Sequence, residues 1–170
     1  LKNKQTILVL LQRDHTNLML TAINNNSKID ISSKKSTKRL AKDLISHLNS
    51  GDIIFLYGEM GVGKTTFIRY LINEFQERKN LDITEVPSPT FNLLNEYQVQ
   101  DLVIKHYDLF RIKDKSEIRD LHLFEDSKNI ITLIEWPELI DKKKIINTID
   151  LTFSYENEFN SRSVKINGLS

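Results

Sequence analysis

The stretch Gly58–Thr66 carries the residues with the clearest chemistry in this sequence. Its letters, GEMGVGKTT, fill every fixed position of the phosphate-binding loop pattern G-x-x-x-x-G-K-[ST]. In this pattern the glycines let backbone N–H groups curve around phosphate oxygens, because they carry no Cβ atom. Lys64 would bring a positive charge to the β- and γ-phosphates, and Thr65 would place its hydroxyl on Mg²⁺. The predicted nucleotide contacts of the loop are Glu59, Met60, Gly61, Val62, Gly63, Lys64, Thr65 and Thr66.

Two acidic residues follow apolar stretches and are candidates for the same site. A triphosphate site needs a carboxylate that holds Mg²⁺ or its waters, and in phosphate-loop proteins this acid ends a neighbouring buried strand. Glu135 directly follows the apolar run Ile130–Ile134, so we favour a metal role over that of an exposed acid. Asp108 ends a second apolar stretch, and composition alone leaves it between a site acid and a turn cap. His106 is interpreted as a hydrogen-bonded structural histidine.

A proline-stiffened loop, Val86–Phe91, presents further hydroxyls. Each proline fixes its own φ and biases the preceding residue toward an extended conformation, so a helix is excluded here. In nucleotide switches a loop hydroxyl such as that of Thr90 can follow the γ-phosphate and change its order on hydrolysis. Spacing alone favours a simple turn. Trp136, the only tryptophan, is by itself typical of a core or of a partner surface.

The elements around the loop have the order that a phosphate site requires. The apolar run Ile53–Tyr57 predicts a buried strand that leads into the loop, and apolar residues at helical spacing between Phe67 and Phe75 predict the helix that follows. An amphipathic helix is predicted before this unit, with Ser36 or Thr37 as its cap. Further strands are predicted at Phe91–Val99, Leu102–Asp108, Ile130–Ile134, Ile145–Phe153 and Arg162–Ile166, and a short helix after a cap at Ser116.

Length and composition limit the function classes. The 170 residues form one core in this interpretation, with residues 1–30 as an N-terminal extension and 31–170 as a single domain. The net charge of +1 excludes the strong basic excess of a protein that grips nucleic acid unaided. The sequence has no cysteine, which excludes disulfides and fits a reducing compartment. The run Ile7–Leu11, a possible strand, is too short to span a bilayer, so a cytoplasmic protein without membrane association is expected.

Four segments together resemble one known family. These are Gly58–Thr66, SPTF at Ser88–Phe91, HYDLFR at His106–Arg111 and LIEWPE at Leu133–Glu138, in this order and spacing. The sequence resembles the bacterial TsaE (YjeE) family, the small ATPases required for threonylcarbamoyladenosine synthesis on tRNA. The resemblance covers roughly residues 31 to 167. It is specific, because phosphate loops are common but the second and fourth segments are not.

The resemblance implies a fold, an activity and roles for individual residues. The fold would be α/β, a P-loop NTPase-like three-layer domain with a mixed, mainly parallel sheet. The activity would be Mg²⁺-dependent ATP hydrolysis that sustains the turnover of the TsaD and TsaB proteins, with tRNA reached only through that complex. The implied catalytic residues are Lys64, Asp108 and Glu135, the implied metal ligands are Thr65 and Glu135, and Thr90 and Trp136 are implied nucleotide neighbours. Phe110 departs from the family, which usually has tyrosine there.

Three other functions compete with this interpretation. In a small-molecule P-loop kinase, Asp108 would activate an acceptor hydroxyl, but no arginine-rich lid is recognisable, only the scattered Arg111 and Arg119. A GTPase is disfavoured because no N-K-x-D segment follows the loop. A binding module that does not hydrolyse its nucleotide remains the third alternative.

Overall fold

The structure is a computed structural model that describes residues 27–124, 128–159 and 161–169. The predicted strand Ile7–Leu11 and most of the predicted N-terminal extension lie outside these residues. The strands are β1 (Ile29–Asp30), β2 (Ile53–Tyr57), β3 (Leu94–Val99), β4 (Leu102–Asp108), β5 (Ile130–Glu135), β6 (Thr148–Glu156) and β7 (Ser161–Asn167). The helices are α1 (Lys34–Ile45), α2 (Lys64–Arg78) and α3 (Lys115–Asp120), with 3₁₀ turns at Pro137–Leu139 and Lys142–Lys144. None of the described helices is long and apolar enough to cross a bilayer.

The described strands form one seven-stranded sheet in the order β1-β7-β6-β2-β5-β4-β3. Strands β6, β2, β5 and β4 are parallel neighbours. At the edges, β3 pairs antiparallel with β4, β7 with β6, and β1 with β7, so β1 again runs with the central strands. The predicted mixed, mainly parallel sheet is confirmed. Because β2 lies between β5 and β6, the loop that follows it opens at the centre of the carboxyl edge of the sheet.

Successive residues of β2 face two apolar layers on opposite sides of the sheet. Ile54 and Leu56 face the cluster that also contains Phe67, Ile68, Leu71 and Ile72 of α2 and the apolar stripe of α1. Ile53 and Phe55 face the opposite cluster, which contains Leu109, Leu123 and Ile140. Full burial of one such side chain contributes about 1.5–3 kcal/mol. The sheet is therefore held between helices on one face and shorter elements on the other, which is the predicted three-layer arrangement.

The two predicted helix caps are wrong by a few residues. Helix α1 is capped by Ser33, whose hydroxyl accepts from the Ser36 amide, and Ser36 returns a bond as the other half of a capping box. Thr37 instead donates its hydroxyl to the carbonyl oxygens of Ile31 and Ser33. Helix α3 is capped by Asp114, which accepts from the Ser116 amide. The apolar periodicity of each helix begins only after its first turn, so the periodicity indicates hydroxyls inside that turn and not the true caps before it.

The antiparallel pair of β3 and β4 is confirmed, but β3 begins at Leu94 and not at Phe91. Leu93 has a φ of 65°, and its amide donates to the carbonyl oxygen of Pro89 at 2.6 Å. These residues therefore form a turn that belongs to the proline loop. Strand β6 likewise begins at Thr148, three residues after the predicted start, because the chain from Lys142 forms a 3₁₀ turn first.

Candidate functional site

The phosphate loop joins the end of β2 to the start of α2. Gly58, Gly61 and Gly63 have φ values of 133°, 76° and 116°, a region that L side chains rarely adopt. A Cβ atom on Gly58 would lie 2.5 Å from the carbonyl oxygen of Phe153 on β6. The amides of the first turn of α2 have no partner within the helix, so they point toward the space in front of the loop. Glycine is therefore favoured at these three positions for steric reasons.

Lys64 is a buried cation inside this loop. Its side chain is 4% exposed, and Nζ donates to the carbonyl oxygens of Gly58 at 2.5 Å and Glu59 at 3.0 Å. The ammonium also lies 3.8 Å from the ring centroid of Trp136. Burial lowers the pKa of Lys64 below its usual value of 10.5, and nearby Glu135 opposes that shift most strongly. No ion pair joins Lys64 to a described carboxylate, so Glu135, Glu138 and Asp108 act on its charge only at longer range and an incoming anion could contact it directly.

Asp108 and Glu135 end adjacent parallel strands. They are direct partners in the register of β4 and β5 and therefore lie on the same face of the sheet. Both are buried, with 4% and 3% of their surface exposed. Glu135 Oε1 accepts a hydrogen bond from the Thr65 hydroxyl at 2.8 Å and lies 2.9 Å from His106 Nε2. The sheet thus brings together the loop threonine and the acid that the sequence interpretation paired as metal ligands.

Asp108 contacts the proline loop. Its Oδ2 accepts from the hydroxyls of Ser88 at 3.0 Å and Thr90 at 2.6 Å, and these two hydroxyls are 2.7 Å apart. Its Oδ1 accepts from the Phe110 amide at 3.0 Å. A buried carboxylate with three donors is well satisfied, and it fixes the loop next to the site.

A cavity of about 290 Å³ lies in front of these groups. Trp136 forms one wall. It has a left-handed backbone with φ 59° and ψ 55°, and its ring packs against Phe110 with 4.9 Å between centroids. The cavity is lined by Met60, Gly61, Gly63, Lys64, Thr65, Thr66, Ser88, Thr90, Asp108, Phe110, Glu135 and Trp136.

Most, but not all, of the predicted site residues line this cavity. Glu59 does not, but its carbonyl oxygen accepts from Lys64. Val62 does not line it either, because its side chain is 1% exposed and packs into the core. The predicted contact set omits Ser88, Phe110 and the contact of His106 with Glu135. The two-residue periodicity of a strand places His106 on the face of Asp108, which is the signal that could have identified it.

The oxygen atoms of Thr65 and Glu135 fit a magnesium ion. Mg²⁺ prefers hard oxygen ligands and usually takes one or two from the protein, with waters and substrate phosphates as the rest. The described residues contain no cluster of three His, Cys, Asp or Glu side chains that could hold a metal without such help. The Thr65 hydroxyl and the Glu135 carboxylate lie 2.8 Å apart beside the phosphate loop, so they could bind Mg²⁺ together with waters and substrate phosphates.

Comparison with known proteins identifies relatives of this chain. A family model described as "Threonylcarbamoyl adenosine biosynthesis protein TsaE" matches residues 31–164. The chain is similar to the tRNA threonylcarbamoyladenosine biosynthesis protein TsaE of Rickettsia conorii, with 42% identity over 65% of this chain and 61% of that protein. It also resembles the protein of the same name from Aquifex aeolicus, with 30% identity over 82% of this chain and 94% of that protein.

A solved structure has the same fold. The crystal structure of Bacillus subtilis YdiB matches with a TM-score of 0.60 and 22% identity, over 84% of this chain and 85% of that chain. The match to the first Rickettsia relatives is partial, since this chain spans 61% and 62% of the lengths of the proteins from Rickettsia conorii and Rickettsia felis.

Proposed function

Since the chain belongs to the TsaE family, as its motifs predicted, we propose that it binds and hydrolyses ATP for threonylcarbamoyladenosine synthesis on tRNA. In this proposal it acts with TsaD and TsaB in the cytoplasm and sustains their turnover. The observation that carries the proposal is the meeting of Lys64, Thr65, Asp108 and Glu135 at one cavity in front of the phosphate loop. Each residue has the chemistry that one part of a Mg²⁺–ATP complex requires.

ATP binding would use the charge and the amides that the loop presents. The first-turn amides of α2 would bind the α- and β-phosphates, and Lys64 would exchange its two carbonyl acceptors for the β- and γ-phosphates. Thr65 and Glu135 would hold Mg²⁺, which when bound neutralises charge that develops on the phosphates. Thr65 would then turn its hydroxyl hydrogen away from the metal, and Glu135 Oε1 can still accept it.

Hydrolysis would depend on the order of the proline loop. Asp108 fixes the hydroxyls of Ser88 and Thr90 at the cavity, where the γ-phosphate of ATP would lie. We assign Thr90 to follow the γ-phosphate and Asp108 to orient the attacking water or the loop that covers it. Trp136 would keep bulk water from the lysine side of the phosphates, because its ring covers the ammonium of Lys64.

The net charge and an exposed residue of the proline loop support coupling to partner proteins. The net charge of +1 gives no independent hold on tRNA, so the tRNA contact would belong to the partners. Phe91 directly follows Thr90 and is 86% exposed, so a partner can reach the loop at that point. A partner accelerates hydrolysis only if it binds one arrangement of this loop more tightly than another.

The test combines calorimetry with phosphate release, with and without purified TsaD and TsaB. We expect slow hydrolysis alone and faster hydrolysis in the complex. Lys64→Ala should abolish productive ATP binding, and Glu135→Gln should weaken the Mg²⁺ dependence. Thr90→Ala and Trp136→Ala should impair the partner effect more than the ATP affinity. Unchanged ATP binding in Lys64→Ala, or equal turnover with and without partners, would contradict the proposal. Phosphorylation of a small acceptor would favour the kinase alternative.

A further inference from the structure

His106 is a fully buried imidazole that makes one polar side-chain contact within the described part of the chain. Its exposed surface is 0%, and Nε2 lies 2.9 Å from Oε1 of Glu135, which is 3% exposed. The other ring nitrogen, Nδ1, is buried and has no hydrogen-bond partner among the residues that the structure describes. A histidine retained only to satisfy core polar groups would pair both nitrogens, because an unpaired buried polar atom costs about 1–3 kcal/mol. The single contact therefore indicates that His106 serves the carboxylate.

The contact with His106 determines which carboxylate oxygen of Glu135 is engaged in hydrogen bonds and which is left for a metal ion. A carboxylate oxygen accepts hydrogen bonds, so Nε2 of His106 carries the hydrogen that it shares with Oε1. The Thr65 hydroxyl donates to that same oxygen at 2.8 Å. Oε1 is thus held between β4 and the phosphate loop, and the Glu135 side chain cannot rotate without losing both bonds.

We propose that His106 is a positioning residue that sets the Glu135 carboxylate for the Mg²⁺–nucleotide complex. This inference rests on the proposed function. Outer contacts of this kind orient ligand oxygens, and their removal typically weakens metal affinity or activity by about 10–100-fold. His106 does not line the cavity, and its side-chain hydrogen bond goes to Glu135, so it would act on the site through that carboxylate. Its effect should therefore appear in the Mg²⁺-dependent part of nucleotide binding.

Three substitutions at His106 separate positioning from packing. His106→Leu replaces the imidazole donor with an apolar side chain of similar size. His106→Gln places an amide near the position of Nε2, whereas His106→Asn places it near Nδ1. Ile104→Val is the matched control, since Ile104 lies two residues away on the same face of β4 and is also fully buried. Thermal unfolding of all four variants monitors the fold.

The measurement is ADP affinity by calorimetry, with Mg²⁺ and with EDTA, together with Mn²⁺ binding to the protein–ADP complex by electron paramagnetic resonance. We expect His106→Leu and His106→Asn to weaken Mn²⁺ binding about 10-fold or more, while ADP affinity in EDTA changes less than about twofold. His106→Gln should restore most of the metal affinity, and Ile104→Val should leave it unchanged.

Equal metal affinity in the wild type and His106→Leu would overturn the inference, as would equal losses in EDTA and in Mg²⁺. If His106→Leu does not fold, the comparison of His106→Gln with His106→Asn decides, and equal metal affinity of those two variants overturns the inference. Failure of the wild type to bind ADP or ATP would contradict the proposed function itself. A wild type that binds Mg²⁺–ATP normally, beside unaffected His106 variants, would contradict the inference alone.

Discussion

Asp108→Asn should loosen the proline loop without unfolding the protein. The carboxylate accepts from the hydroxyls of Ser88 and Thr90 and from the Phe110 amide. An asparagine amide keeps one acceptor oxygen and replaces the other with a donor. All three donors lose the charged acceptor, and whichever way the amide turns, either the two loop hydroxyls or the Phe110 amide face its NH₂ group instead of an oxygen.

The size of the effect follows from these contacts. A hydrogen bond to a charged group contributes about 1.5–3 kcal/mol and one between neutral groups about 0.5–1.5 kcal/mol, so each loop hydroxyl loses about 1 kcal/mol. Ser88 is exposed and Thr90 is half-buried, so water can replace part of the hydrogen-bond energy that the two hydroxyls lose. A net loss of about 1.4 kcal/mol would raise the open population of the loop about tenfold.

Hydrogen exchange at the Leu93 amide measures this opening, because that amide donates to the Pro89 carbonyl oxygen inside the same loop. We expect about tenfold faster exchange in Asp108→Asn and a turnover loss larger than the loss in ATP affinity. Thr90→Val removes one bond to the charged carboxylate outright instead of weakening two, so it should show a free-energy change of similar size. Unchanged Leu93 exchange in Asp108→Asn, with exchange in the β5 core also unchanged, would refute a loop held by the carboxylate.

Three further predictions concern the loop and a helix cap. Burial lowers the pKa of Lys64 in the free protein, and bound phosphates would raise it, so ATP binding should take up a proton in alkaline buffer and weaken as pH rises through the free-protein pKa. Calorimetry in two buffers of different ionisation enthalpy detects this proton uptake. Proton uptake that persists in Lys64→Met would contradict the assignment to Lys64. Gly58→Ala should lower the free energy of unfolding by about 2–4 kcal/mol and Gly63→Ala by about 1–2 kcal/mol, because only the former places a Cβ atom 2.5 Å from a carbonyl oxygen; equal losses in urea denaturation would argue against the clash. Ser33→Ala should cost about 1 kcal/mol through the lost cap of α1, and a loss no larger than that of Lys35→Ala in the same assay would contradict the capping box.

The phosphate loop, the strand before it and the helix after it could be predicted from sequence because their signals are local. The pattern from Gly58 to Thr66 needs no distant residue to be recognised, and β2 begins and ends at the predicted residues. The family also followed from segments of four to nine residues in a fixed order. The predicted caps, Ser36 or Thr37 and Ser116, differ from the true caps at Ser33 and Asp114. Several neighbouring polar residues can each accept the same amide hydrogen, so the local sequence does not distinguish them.

The pairing of distant side chains was decided only by the tertiary structure. Strand register sets Asp108 opposite Glu135, and a shift by one residue would turn one of them to the other face of the sheet. Register depends on packing and hydrogen bonds between strands that lie far apart in the chain, so no short window of sequence contains it. For the same reason, the hydrogen bonds that Ser88 and Thr90 donate to Asp108 and the contact of His106 with Glu135 could not be predicted from spacing. The sequence alone determined which chemical groups the site contains, and the sheet determined which of them touch, because contact between strands is a property of the assembled core.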